Sequence, residues 1–184
     1  FAHGSGSGRH SPRNNFVARI LQTAHLGTLL IDLLTEEEDA TYETRFDIGL
    51  LTKRLERATR WLAELPQAKG LAIGYFGAST GAAAALQAAA ALGSAVGAVV
   101  SRGGRPDLAW SALEQVRAPT LLIVGGLDDV VIELNQRAYE RLRAEKELII
   151  IPGATHLFEE PGALQEVARL ASGWFERYLR SKQG

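Results

Sequence analysis

The chain has 184 residues, 46% of them hydrophobic, with 20 basic and 21 acidic side chains for a formal net charge of -1. That length supports one domain with its own core, and the balanced charge excludes an electrostatic footprint for nucleic acid or a polybasic membrane patch, leaving a small molecule as the expected partner. There is no cysteine, which excludes disulfides, thiolate metal ligands and a thiol nucleophile.

In chain order, "FAH" (residues 1–3) reads as the tail of a strand, followed by the glycine-rich loop "HGSGSG". Pro12 to Ala24 reads as a helix, with Ser11 as N-cap, Pro12 in the first position, and Phe16, Val17, Ile20 and Leu21 on one face. "LGTLLIDLL" (Leu26 to Leu34) is an apolar run of strand length. Thr44 to Leu65 repeats Phe46, Leu50, Leu51, Leu55, Ala58, Leu62 and Leu65 at helical spacing and stops at Pro66. Further strands are expected at Leu71 to Phe76, Ala95 to Ser101, Pro119 to Gly126 and Glu147 to Gly153. An alanine-rich helix follows the first of these over Ala82 to Ala91, and a closing helix runs from Pro161 to Leu179. Apolar runs alternating with amphipathic ones indicate parallel strands joined by crossover helices, a three-layer α/β/α sandwich with ligands at the C-terminal strand ends. No run approaches the ~18 apolar residues of a membrane span and no signal peptide is visible. The chain opens on "FAHGSGSG" and contains no methionine, so it reads as a fragment, with the cytoplasm as the default location.

The strand ends carry the polar chemistry: His3-Gly4-Ser5-Gly6, Asp32, Gly77-Ala78-Ser79-Thr80-Gly81, Arg102, Asp128-Asp129 and His156. Gly77 to Gly81 matches G-x-S-x-G between a strand and a helix, where a sharp turn lifts a serine hydroxyl above the sheet. The competing reading is an ordinary small-residue turn in which Ser79 caps the helix. A serine hydroxyl becomes nucleophilic when an imidazole takes its proton, and the imidazole needs a carboxylate to fix its tautomer. Asp128 after "LLIVGGL" and His156 after "LIIIPGAT" supply both, in the order Ser, Asp, His. Adjacent Asp129 competes for the acid role; Asp128 is preferred because it comes sooner after Gly125-Gly126.

Acyl transfer also needs donors for the developing oxyanion. The Thr80 amide at the helix start is one candidate and the Ser5 amide in the "HGSG" loop is the other. Arg9, Arg13, Arg102 and Arg105 lie in two strand-end loops. As a cationic rim they imply a substrate bearing carboxylate or phosphate; the competing reading is solvated charge or loop anchoring. His3 and His10 read as structural loop residues and His25 as a helix-end residue, so no metal and no cofactor are expected.

The segments "HGSGSGRHSPRN", "LLIDLLT", "RFDIGLL", "GYFGASTG", "VVSRGGRPDL", "LLIVGGLDDVVI" and "HLFEEPGAL" together resemble the dienelactone hydrolase-like family of the α/β-hydrolase superfamily over essentially the whole chain. The resemblance implies a single α/β-hydrolase domain over residues 1–184 that lacks the superfamily's first strands and any cap domain. It also implies a catalytic triad of Ser79, Asp128 and His156 and an oxyanion role for the "HGSG" loop. Dienelactone hydrolases use cysteine at the elbow, so Ser79 instead points to a serine carboxylesterase acting on small esters without a cofactor. Related proteins are in some cases fused to a phosphoribosyltransferase domain, of which no trace is seen here. Missing first strands expose a sheet edge, which makes pairing with a second copy an expectation. The rival expectations are a thioesterase, amidase or acyl transferase using the same triad, and a catalytically idle binding module for an anionic small molecule.

Overall fold

A computed structural model describes residues 1–180. Four strands, β1 (Ile73–Ala78), β2 (Val96–Arg102), β3 (Thr120–Gly125) and β4 (Lys146–Ile151), form one parallel sheet in the order β1-β2-β3-β4. Around it lie α1 (Pro12–Thr23), α2 (Glu36–Asp39), α3 (Ile48–Glu64), α4 (Thr80–Leu92), α5 (Asp129–Arg141) and α6 (Ala163–Leu179). Side chains alternate across the pleat, so each strand feeds two cores. Tyr75, Val99 and Leu122 pack with α3, α4 and α5, while Phe76, Val100, Leu121 and Ile123 pack with α1 and α6. The result is the expected three-layer sandwich, and burial on both faces explains why the strands read as unbroken apolar runs. Among the described residues no helix is long and apolar enough to cross a membrane.

Local chemistry sets the element ends. Ser11 accepts from the Asn14 amide at 3.3 Å and Pro12 opens α1, as its sequence predicts. His25 follows that helix with φ 59, a helix-end residue in the left-handed region. The α3 helix begins four residues later than its apolar spacing predicts, because Asp47 caps the Leu50 amide at 2.9 Å and a short 3-10 turn, Glu43–Phe46, precedes it. In α6, Gly162 holds the N-cap position with φ 84.

The strand expected over Leu26 to Leu34 is corrected: that segment forms no ladder. Its neighbour is the short Phe1–His3 segment, which itself meets β1 through one bridge, Ala2 to Gly77. Two contacts link the segments. Phe1 donates its amino group to Leu29 O at 2.9 Å, and the Leu33 amide donates to the His3 ring at 2.8 Å, a side chain where a ladder would use a carbonyl. Hydrophobicity here signals burial against a neighbour rather than strand pairing; Leu33 is fully buried.

The β1–α4 junction is packed to contact. A Cβ at Gly77 would lie 2.5 Å from Ala82 Cα, and one at Gly81 would lie 2.2 Å from Ala2 O and 2.4 Å from His3 O. These obstacles are backbone, which cannot rotate away. Gly81→Ala is therefore expected to cost about 3 kcal/mol or more through overpacking. Urea unfolding checks this as a lowered midpoint at unchanged slope; an unmoved midpoint would mean that the junction has slack.

Candidate active site

The site is assembled where β1, β2 and β3 end side by side, in a register that pairs Arg102 with both Ala78 and Ile123. Immediately after β1, Ser79 has φ 50 and ψ -120, a conformation costing an L-residue roughly 1–3 kcal/mol. Three backbone bonds hold it there: its amide donates to Arg102 O and its carbonyl accepts from the Arg105 amide, both at 3.2 Å, and from the Ala82 amide at 3.1 Å. Ser79 sits at the N-cap position of α4, yet its hydroxyl makes no capping bond. The turn thus presents a hydroxyl that the fold does not use.

Two other strand-end loops meet each other. Asp128 Oδ2 lies 2.6 Å from His156 Nδ1, with the His156 side chain partly exposed and Asp128 more sheltered. Two backbone bonds zip their loops together, Gly126 N–H to Ile151 O and Leu127 N–H to Ala154 O, while Asp128 N–H to Gly125 O closes a turn within the first loop. Asp128 occupies the N-cap of α5 without capping it, so its carboxylate is committed to the imidazole. Asp129 is the first residue of α5, and its carboxylate bonds no described residue.

The Arg102–Arg105 turn connects Ser79 to this pair. Its ends bond the Ser79 backbone, and a Cβ at Gly103 (φ 50) would lie 3.4 Å from His156 Nδ1 and Cε1. Ser79 Oγ itself makes no hydrogen bond to His156. The structure therefore joins Asp128 to His156 directly and sets Ser79 on the other side of one turn of backbone.

The "HGSG" loop lies against the serine, since a Cβ at Gly4 would come within 3.1 Å of Ser79 Cβ. His3 is buried and structural, as expected. Its Nε2 accepts from the Leu33 amide, so Nδ1 carries the proton and donates to Gly4 O at 2.9 Å. In a trans peptide the N–H points opposite to the C=O, so fixing the Gly4 carbonyl also aims the Ser5 amide. The Thr80 amide, first in α4, is one of the four with no acceptor inside the helix.

The four arginines separate by pairing. Arg9 bonds Asp32 at 2.8 Å, Arg13 bonds Glu159 at 3.0 Å, and Arg105 grips Asp107 through two contacts of 2.8 Å. Arg102 is buried and bonds no carboxylate; burial, reinforced by the nearby charge of Arg13, pushes its guanidinium down to about 10. An apolar groove of about 800 Å³, lined by Phe1, Leu26, Trp61, Leu71, Phe175 and Leu179, lies along the opposite end of β1. No candidate site residue lines it.

Asn135 escaped the sequence reading. Fully buried on α5, it donates Nδ2 to Gly104 O at 3.0 Å and to Val131 O at 2.8 Å, pinning the turn that touches both Ser79 and His156. Its one signal was a polar side chain in the buried stripe Val131, Asn135, Ala138. Asn135→Ala and the donor-less Asn135→Asp are expected to lower kcat about ten- to a hundredfold with KM nearly unchanged, since small misplacements of reacting groups cost that much. Steady-state kinetics on an ester checks this; a rise in KM alone would make Asn135 a pocket-shaping residue.

Comparison with known proteins places this geometry in a family. The model of the Dienelactone hydrolase family matches residues 34–180. A dienelactone hydrolase from Anabaena variabilis is 63% identical, with a TM-score of 0.95 over 98% of this chain and 85% of that one. Est1E from Butyrivibrio proteoclasticus (14% identical, TM-score 0.81, 95% of this chain and 85% of that one) shares the fold. A Pyrococcus furiosus esterase (18%, 0.73, 96% and 81%) does so too. A Mycobacterium tuberculosis protein named "Putative phosphoribosyl transferase" is 59% identical over 97% of this chain. This chain spans 40% of that protein, so the name describes a much longer molecule. The strand-end site, the α/β/α sandwich carrying it and the family match over residues 34–180 agree: the chain belongs to the dienelactone hydrolase family, within the α/β-hydrolase fold.

Proposed function

We propose that the protein is a serine hydrolase cleaving small carboxylic esters through an acyl-enzyme. The observation that carries this reading is Ser79, held at φ 50 with a hydroxyl that caps nothing. Strained backbone with an uncommitted nucleophile, next to a carboxylate–imidazole pair at 2.6 Å, is what acyl transfer requires.

In this mechanism His156 Nδ1–H donates to Asp128, leaving Nε2 to take the Ser79 proton as Oγ attacks the acyl carbon. The amides of Ser5 and Thr80 donate to the resulting oxyanion. Collapse breaks the ester C–O bond, and His156 returns the proton to the departing alcohol. Water, deprotonated by His156, then attacks the acyl carbon and releases the acid with Ser79 restored. Asp128 remains ionised and stabilises the imidazolium in both halves. Between β2 and β3 the chain contributes a 3-10 segment, Pro106–Gln115, and no inserted domain, which supports an open pocket and a small soluble ester.

The test is a panel of acyl esters of graded chain length, with matched thioesters and amides, alongside labelling by a fluorophosphonate. Short-chain esters are expected to turn over fastest, with the label on Ser79. Folded protein that neither labels nor cleaves esters would overturn the reading, and preference for thioesters would move the leaving-group class.

A further inference from the structure

Arg102 leaves the end of β2 on the α1/α6 face, in step with Val100 and Ala98 of that core. Ser101 turns the other way, toward Gly104 and Ala82. The Arg102 side chain is almost wholly enclosed: the residue is 8% exposed, and its Nε and Nη1 are buried without a hydrogen-bond partner. A guanidinium carries five donors and stays charged, so this is a buried cation with the three donors of Nε and Nη1 idle. Its charged neighbour is a second cation, Arg13 at the start of α1, whose Nε is also buried and unpartnered.

No carboxylate bonds Arg102. Glu159 pairs with Arg13 Nη1, and Glu160 accepts from Thr155 Oγ1 through Oε1 while its Oε2 is buried without a hydrogen-bond partner. Asn14, beside Arg13, has a buried Oδ1 without a partner, but a neutral amide does not balance charge. Arg13 thus bonds one largely exposed carboxylate and Arg102 bonds none, so the element missing at Arg102 is an anion. Planar forks of N–H donors match carboxylate and phosphate oxygens.

We propose that Arg102 and Arg13 form a binding site for a small oxyanion, a carboxylate or phosphate group, beneath the candidate active site. Occupancy bears on the chemistry through the backbone, because the Arg102 carbonyl accepts the Ser79 amide and the adjoining Gly103 packs on the His156 ring. The oxyanion is either free in solution or a charged group of the substrate.

The test titrates inorganic phosphate into the wild type, Arg102→Met and Arg13→Gln while following thermal unfolding. Replacing an uncompensated buried charge with an apolar side chain of similar length relieves a desolvation penalty, so Arg102→Met is expected to melt at or above the wild type without phosphate. Saturating phosphate should raise the wild-type Tm by about 2–4 °C and leave Arg102→Met unmoved. Equal shifts in both, or none in the wild type, overturn the site. Arg13→Gln keeps the buried guanidinium and is expected to weaken phosphate binding about tenfold by losing one charged fork; unchanged affinity overturns its role, and this variant carries the test if Arg102→Met does not fold. This arm needs no ester hydrolysis, so its result stands apart from the proposed activity. Kinetics then locate the source. Phosphate that raises KM for a carboxylate-bearing ester alone assigns the site to a substrate group, whereas an equal change in kcat for charged and neutral esters assigns it to a free anion.

Discussion

Ser79→Ala is expected to lower kcat for ester hydrolysis by about 10⁴- to 10⁶-fold and to abolish fluorophosphonate labelling. The size follows from what the hydroxyl does: without it there is no acyl-enzyme, and only the oxyanion donors and substrate positioning remain. Because the Ser79 hydroxyl holds no capping bond, its removal costs the fold little, so the loss should appear in kcat with Tm almost unchanged. Pre-steady-state kinetics sharpens the result, since a burst of released alcohol in the wild type must vanish in the variant. Activity within tenfold of the wild type would mean that another group performs the attack.

Asp128→Asn is expected to lower kcat by about 10⁴-fold, while Asp129→Asn stays within a few-fold. The 2.6 Å contact identifies the partner of His156 Nδ1, and a carboxylate there can only accept its hydrogen bond, which holds the proton on Nδ1. An amide presents a donor to the same nitrogen, which drives the ring proton to Nε2 and leaves no base facing the serine. Neighbouring Asp129 makes no such contact, so its loss removes only surface charge from the first turn of α5. Kinetics on both variants, with unfolding curves to exclude collapse, decides between adjacent carboxylates that spacing alone did not separate. A larger loss for Asp129→Asn would reverse the assignment.

The strands were legible because parallel strands buried on both faces leave uninterrupted apolar runs, and the candidate site's place at the strand ends because polar residues gather where those runs stop. Leu26 to Leu34 misled for the same reason: it is apolar through burial against the Phe1–His3 segment, and burial does not imply a ladder. The pairing of the arginines was invisible, since Arg13 finds Glu159 at a separation of 146 residues and Arg9 finds Asp32 at 23. No periodicity reports such partners. Asn135 was missed because one amide in an apolar helix stripe has no motif around it; only the Gly104 carbonyl opposite gives it a purpose.

The alanine-rich α4 helix has a consequence for how such proteins diverge. Ala82 to Ala85, Ala88 and Ala89 are all buried, and the helix start lies against the backbone of Ala2 and His3 through Gly81. Any larger side chain there would displace the strained turn at Ser79, so the volume behind that serine is closed to variation. On the proposed activity, new substrate preferences then have to arise from the strand-end loops, and a library built on those loops should yield altered specificity where one built on α4 yields only unfolded protein.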